Sequence, residues 1–203
     1  MLFRSLALVG DELLQFGRAE PLGAGRWRLS RLLRGRRGTE AAAGVQMVGE
    51  RFVLLEAEAA RAFDLPVSVL GREVRVIASG VGDDAPVETR CVMRGASVVP
   101  PSPVHLRFFS EADGSATVRW TRRSRAGWRW IDGVDAPLAE EVEAYRVTVT
   151  AGGTSRDVDV AEPFVSITAA ERVGSASIAV RQRGVFGESL AAGLIVPPLI
   201  VPA

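Results

Sequence analysis

Three of the four residues from Pro100 to Pro103 are proline, and no other feature restricts the fold of this chain as much. Proline lacks the N–H that a sheet ladder needs and fixes φ, so such a run cannot sit in a central strand. It favours a stiff, extended spacer. Short segments with strand-like alternation lie on both sides of it. The sequence therefore predicts two β units, residues 1–97 and 104–196. A proline-rich linker at 98–103 joins them, and an extended tail follows at 197–203.

With 203 residues, 47% of them hydrophobic, the chain is long enough for one or two cores. The formal net charge is +1, so no global field draws it to nucleic acid or to an anionic membrane. All 25 basic residues are arginine. Arginine's planar fork favours fixed bidentate contacts, although codon bias in a GC-rich genome produces the same composition. The single cysteine, Cys91, excludes an internal disulfide and a cysteine metal cluster. It lies in a strand-like stretch, residues 87–93, and reads as a buried, inert thiol. The stretch from Met1 to Ser5 carries no long apolar run, which predicts no signal peptide. No segment approaches the roughly 20 apolar residues of a membrane helix. The run from Leu194 to Val201 is broken by Pro197 and Pro198 and reads as an extended edge segment or a piece that packs on a partner.

In the first unit, Leu6–Val9 and Leu13–Phe16 flank the turn-forming Gly10-Asp11-Glu12, which predicts a hairpin. Residues 21–25 read as a loop. Trp27 to Leu32 alternates with period two, as a strand with one buried face does. Gly35 and Gly38 punctuate a charged loop, and Thr39 is placed to cap a helical turn over 40–43 that Gly44 ends. Phe52–Leu55, Arg72–Ile77 and the Cys91 segment read as strands, and Glu56 to Phe63 has helical composition ahead of Pro66. In the second unit, short β runs at 104–108, 116–121, 144–150, 155–160, 164–168 and 175–181 alternate with turn signals such as Asp113-Gly114 and Gly152-Gly153. Evenly spaced short strands predict an antiparallel sandwich.

Several of these segments carry a family resemblance. Asp113 to Trp120, Tyr145 to Val149 and Ile178 to Ser189, behind the proline run, resemble a fibronectin type III domain. That resemblance implies a tryptophan brought into the core by the second strand. The departure is Ala176, where such domains usually begin the penultimate strand with tyrosine. Residues 7–16 and 28–40, from Ala7-Leu8-Val9-Gly10-Asp11-Glu12 to Arg36-Arg37-Gly38-Thr39-Glu40, resemble the hub (tail-tip) proteins of siphophages and bacterial gene transfer agents. In those proteins such a segment precedes fibronectin-like modules, and the large upstream part of such hubs has no counterpart here. Trp120 to Arg125 resembles the same family's version of the module. The expected fold class is mainly β: a mixed, mostly-β N-terminal unit and a C-terminal fibronectin type III-like sandwich. The resemblance implies a non-catalytic structural component of a tail tip, assembled in the bacterial cytoplasm and located in the virion tail. Its implied partners are other tail-tip proteins, copies of itself in a ring (trimeric in the family), and a cell-surface glycan or protein. The alternative is an accessory binding module of a cell-wall or carbohydrate-active enzyme.

Catalytic chemistry finds no support in the motifs. A P-loop needs a lysine, and the sequence has none. Gly23-Ala24-Gly25 lacks the rest of a dinucleotide fingerprint, and no Gly-x-Ser-x-Gly elbow is present. His105, the single histidine, reads as a packed or surface residue. The carboxylates at Asp83-Asp84, Asp132, Asp135 and Glu140-Glu141-Glu143 read as solvated charge. No catalytic, metal-binding or cofactor-binding residue is expected, and no cofactor. The candidate contact residues are arginines and tryptophans. Arg34, Arg36 and Arg37 form either a solvated turn or a carboxylate contact, within the unit or between subunits. Arg122, Arg123, Arg125 and Arg129 interleave with Trp128 and Trp130. That segment either closes the sandwich edge by cation–π stacking or offers a protein or glycan contact surface. Single-stranded nucleic acid is disfavoured by the acidic residues around it.

Overall fold

The computed structural model describes residues 5–56, 58, 63–126 and 136–199. Contacts divide the chain into Met1–Ser97 and Val98–Ala203.

The first unit opens with β1 (Ser5–Val9), β2 (Glu12–Gly23) and β3 (Arg26–Leu33), and adds β4 (Phe52–Leu55) after two short 3-10 turns. Their order is β3-β2-β1-β4, and all pairings are antiparallel. The hairpin around Gly10-Asp11 forms as expected, with Val9 opposite Glu12. Residues 21–23 are strand rather than loop, and the reversal is made by Ala24 and Gly25, both at positive φ. Proline is tolerated at position 21 because β1 stops pairing at Phe16, which leaves that edge of β2 free. A register break between Pro21 and Gly23 absorbs the residual mismatch. Beyond Phe16, β2 and β3 thus form a two-stranded arm. The alternation in β3 does not report a buried face: Trp27, near the arm's tip, is 61% exposed.

A separate hairpin pairs β5 (Glu73–Ala78) with β6 (Val87–Val92). Cys91 is exposed on β6 rather than buried, because among the described residues this two-stranded sheet stays almost wholly exposed on both faces. Of the helical expectation at 56–63, residues 57 and 59–62 lie outside the described residues, and Glu56, Glu58 and Phe63 are not helical.

The second unit contains β7 (Val104–Ser110), β8 (Ala116–Thr121), β9 (Tyr145–Ala151), β10 (Thr154–Val160), β11 (Phe164–Ile167), β12 (Ala176–Gly184), β13 (Gly187–Glu188) and β14 (Ala192–Val196). One sheet has the order β11-β8-β7; the other runs β10-β9-β12, with β14 and the short β13 both pairing β12. This is the antiparallel sandwich of fibronectin type III topology, and the chain is mainly β as expected. Inward positions alternate with outward ones along each strand. Val118 and Trp120 of β8, Tyr145, Val147 and Val149 of β9, Ile167 of β11 and Ile178 and Val180 of β12 form the core. Trp120 meets Tyr145 edge-on, with ring centroids 5.2 Å apart at 74°, a favoured aromatic geometry. Burial raises the Tyr145 hydroxyl above its ordinary value, and its bond to Glu143 adds to that.

At the start of this unit one expectation is corrected. The proline run is not a free spacer: Pro100 and Pro103 are buried, and Ser102 Oγ donates to the Leu190 carbonyl at 2.8 Å. A Cβ on Gly184 would lie 2.8 Å from Pro100 Cδ, so the run packs on the end of β12. At its end, the C-terminal run is the extended edge segment that the sequence allowed. Leu194–Val196 belongs to β14, and the Leu199 amide donates to the Arg172 carbonyl at 2.8 Å.

Candidate functional site

Glu12 closes the first hairpin, and its side chain is fully buried. Its two oxygens take four donors. Oε1 accepts Arg34 Nε at 2.7 Å and the Gly35 amide at 2.9 Å; Oε2 accepts an Arg34 terminal nitrogen and Gln46 Nε2, each at 2.6 Å. Gln46 in turn donates to the Ala42 carbonyl and accepts from Arg34 and the Gly44 amide. The Arg34 hydrogen bonds hold the Glu12 carboxyl below its usual range against the opposing effect of burial, and Glu12 raises Arg34. The chain can turn this sharply because Gly35 sits at φ 57 and Gly38 at φ 84. The expected turn forms as a 3-10 turn over Glu40–Ala42 with Thr39 at its N-terminus, but the Thr39 side chain makes no capping bond. Its Oγ1 accepts the Leu13 amide at 2.9 Å and donates to the Arg36 carbonyl at 2.8 Å, pinning the loop to β2.

The sequence-derived trio therefore divides. Arg34 makes a bidentate carboxylate contact inside its own unit. Arg36 and Arg37 are exposed and meet no carboxylate among the described residues, with Arg37 at a positive φ of 54°. Glu12, the acceptor that organises the network, was hidden in the sequence because a glutamate beside Gly-Asp reads as a solvated turn residue.

In the second unit, Arg122 and Arg125 turn inward. Arg122 donates to the Ala136 carbonyl at 2.6 Å and lies 3.8 Å from Glu143. Arg125 donates to Glu140 at 2.8 Å and to the Ala139 carbonyl at 2.6 Å. Glu140 is not solvated, as the sequence suggested; its side chain is 1% exposed and it also accepts the Val185 amide. These two arginines brace the loop ahead of β9 rather than offering free contact groups. Arg123 is half-buried. Trp128, Arg129 and Trp130, with Asp132 and Asp135, lie outside the described residues.

A buried arginine that sequence reasoning missed is Arg172. It donates to the Gly114 and Ser115 carbonyls at 2.9 and 2.8 Å and to Ser110 Oγ at 3.2 Å, tying a 3-10 turn to the β7–β8 hairpin. A signal for that turn was present in Thr168-Ala169-Ala170-Glu171, the capping-box spacing. The Thr168 amide and hydroxyl donate to Glu171 Oε2, and the Glu171 amide donates back to Thr168 Oγ1. Arg156 completes the acceptor site at 2.6 Å and, as the largest cause, lowers Glu171 to about 2.

No described group resembles a reactive centre. Among the described residues, no three His, Cys, Asp or Glu side chains are placed to hold a metal ion, and no helix is long and apolar enough to cross a membrane. His105 is exposed on β7 at a positive φ of 55°.

What the first unit offers is surface. The register places Leu6, Leu8, Leu13, Leu33, Val53 and Leu55 on one face of the four-stranded sheet. Val9, Leu14, Phe16, Leu32, Phe52 and Leu54 share the other face with Ala7. On the two outer strands apolar side chains are exposed on both faces: Phe52 is 49% and Leu54 45% exposed on one, Leu33 40% and Val53 36% on the other. Among the described residues, the buried hydrophobics of this unit are Ala7 and Leu14, at the centre of the Phe52 face beside the buried Glu12.

The Rcc01698-like, C-terminal family matches residues 2–53. No curated protein matches the chain. Among solved structures, a two-domain fibronectin type III segment of chicken tenascin is 17% identical, with a TM-score of 0.37, over 96% of this chain and 99% of that one. Domains d3-d4 of the rat CD45 extracellular region are 9% identical, with a TM-score of 0.39, over 89% and 93%. The FN5 domain of Drosophila Lar is 16% identical, with a TM-score of 0.36, over 51% and 100%.

Proposed function

We propose that this chain is a non-catalytic assembly component of the tail tip of a phage or gene transfer agent. In this reading the first unit docks into neighbouring tail proteins or further copies of itself, and the second serves as an attached interaction module. The observation that carries it is the four-stranded sheet whose outer strands, β3 and β4, expose apolar side chains on both faces. A β layer normally buries at least one face against a second layer, and contiguous exposed apolar surface marks an interaction site. The loop beside that sheet is held rigid by Glu12, Arg34 and Gln46, so the surface is preformed. The family match at residues 2–53 falls on this sheet, and the hub resemblance of residues 7–16 and 28–40 supplies the tail-tip context, the virion location and the ring-forming partners.

Two measurements test the two parts of the reading. Native mass spectrometry of the purified chain should show oligomers or co-purified partners, which the paired substitutions Val53→Ser and Leu54→Ser, one on each face, should dissociate. A cooperative, fully soluble monomer at about 100 μM would overturn the docking role. Antibody labelling of purified particles should mark the tail tip, and particles devoid of the chain would overturn the virion assignment.

A further inference from the structure

The two outer faces of the second unit's sandwich are built on opposite principles. On the β9–β10–β12 face, charges are paired in a ladder: Arg146 and Arg183 share Asp159, Glu188 lies within reach of both, and Thr148 bonds Asp157. On the β7–β8–β11 face they are not. Arg107 of β7 stands directly opposite Arg119 of β8, and among the described residues neither meets a carboxylate. Like charges at facing positions destabilise a sheet, and among the described residues no carboxylate offsets that cost. Arg119 lies over the Phe164 ring at 5.7 Å, and Phe164 and Phe109 are 42% and 51% exposed. A shallow groove of about 400 Å³, lined by His105, Arg107, Phe109, Arg119, Trp120 and Thr121, runs across the strands. The one acidic neighbour on the β7–β8 hairpin with a described contact to this face is Glu111, and it is engaged by Thr117 at 2.9 Å.

We propose that this face binds a carboxylate-bearing polysaccharide. The unpaired guanidiniums present the fork that a carboxylate accepts in bidentate fashion. The exposed phenyl rings offer electron-rich faces to the C–H surface of a sugar ring, and the Thr121 hydroxyl and the His105 imidazole reach its hydroxyls. Two features speak for a sugar polymer over other anions. The register of β7 breaks between Val104 and Arg107, with His105 in the left-handed region. Such an irregularity blunts an edge against an added peptide strand, which leaves recognition to side chains. Two arginines on a chain of net charge +1 also give too little counterion release for firm nucleic-acid binding. The proposal does not rest on the tail-tip assignment.

The test is affinity electrophoresis of the full chain with polygalacturonate, alongside neutral dextran, polyglutamate and a thymidine 20-mer. Polygalacturonate should retard the protein in a salt-sensitive way and dextran should not. Arg107→Ala with Arg119→Ala should weaken binding about tenfold or more, as expected for lost charge-assisted contacts. Phe109→Ala with Phe164→Ala should weaken it severalfold. Arg146→Ala with Arg183→Ala, on the opposite face, should leave it within about twofold of the parent, as expected for a rim remote from the contact. Circular dichroism of each variant checks folding, and Thr121→Glu, which sets a carboxylate beside the groove, provides an independent single change that should also weaken binding. Absence of polygalacturonate binding, or binding indifferent to Arg107 and Arg119, overturns the proposal. Polyglutamate bound as tightly and indifferent to the phenylalanines would mean an acidic protein ligand instead, and a tighter thymidine 20-mer would mean nucleic acid.

Discussion

Arg34→Ala is the substitution that most directly probes the frame of the first unit. It would leave the fully buried Glu12 carboxylate with only the Gly35 amide and Gln46 as donors. Removing one partner of a buried ion pair costs about 3–5 kcal/mol, chiefly because a charge is left uncompensated. Here Arg34 keeps 40% of its side chain in solvent, so screening and entry of water reduce the expected loss to about 2–3 kcal/mol. Glu12→Gln should cost a similar amount, because an amide NH2 would face donors that now converge on an oxygen. Replacing both residues by leucine should cost less than either single change, since no charge is stranded. Hydrogen exchange read on peptides within 5–16 and 26–35 is the assay. A loss of 2–3 kcal/mol speeds exchange through local opening about 30- to 150-fold. The pH dependence has a definite sign. Because the folded Glu12 carboxyl titrates below its unfolded value, about 4.3, its contribution is complete above that value and is lost as pH falls through the folded one. Glu12→Gln should abolish that acid limb. Exchange changed less than twofold by both single substitutions would refute the reasoning.

Gly38→Ala should destabilise the same unit by at least about 2 kcal/mol, since its φ is 84° and the new Cβ would fall 2.1 Å from the Ala96 carbonyl oxygen; Gly25→Ala, also at positive φ but in open space, should cost only about 1 kcal/mol. Paired chemical denaturation curves check the difference. In the second unit, the carboxyl of Glu171 titrates at about 2, so its stabilisation is full above its unfolded value and fades as pH falls towards 2. An acid titration should show that limb in the parent and lose it in Glu171→Gln. Cys91, exposed on its hairpin, should react fully with a disulfide reagent in the native protein, and a thiol protected until denaturation would contradict its placement.

Most of the strand pattern was readable because alternation in a sandwich reports a real inside and outside. Val118 and Trp120 point in and Arg119 points out, and the residue types say so. The same rule misled at Trp27 to Leu32, where β3 alternates but lies at the sheet's edge and stays exposed or half-buried at both parities. Cys91 was misread for a related reason: a strand composition says nothing about whether a second layer lies over the strand. Polar networks were the least legible. Glu12 and Arg34 are 22 positions apart, as Arg172 and Gly114 are 58 apart, and no local period connects such pairs. Arg34 was singled out because arginine in a glycine-punctuated loop needs an anion, whereas its partner carried no mark. The prolines carried the right message about strand pairing and none about packing, because a proline ring is also a good apolar packing surface.

In the proposed docking role, the exposed apolar side chains of β3 and β4 tie the stability of the first unit to mass action. A layer stabilised by what docks on it has a melting temperature that rises with the concentration of that cover. Each tenfold rise in the concentration of whatever covers it adds about 1.4 kcal/mol once the cover is well above its dissociation constant. Before that cover arrives, the outer edges of β3 and β4 carry unpaired backbone groups beside apolar side chains, the combination that templates aggregation. The yield of such a protein is then governed by the order in which chains are made and meet. Synthesis alongside its cover favours ordered docking, and accumulation in isolation favours aggregates.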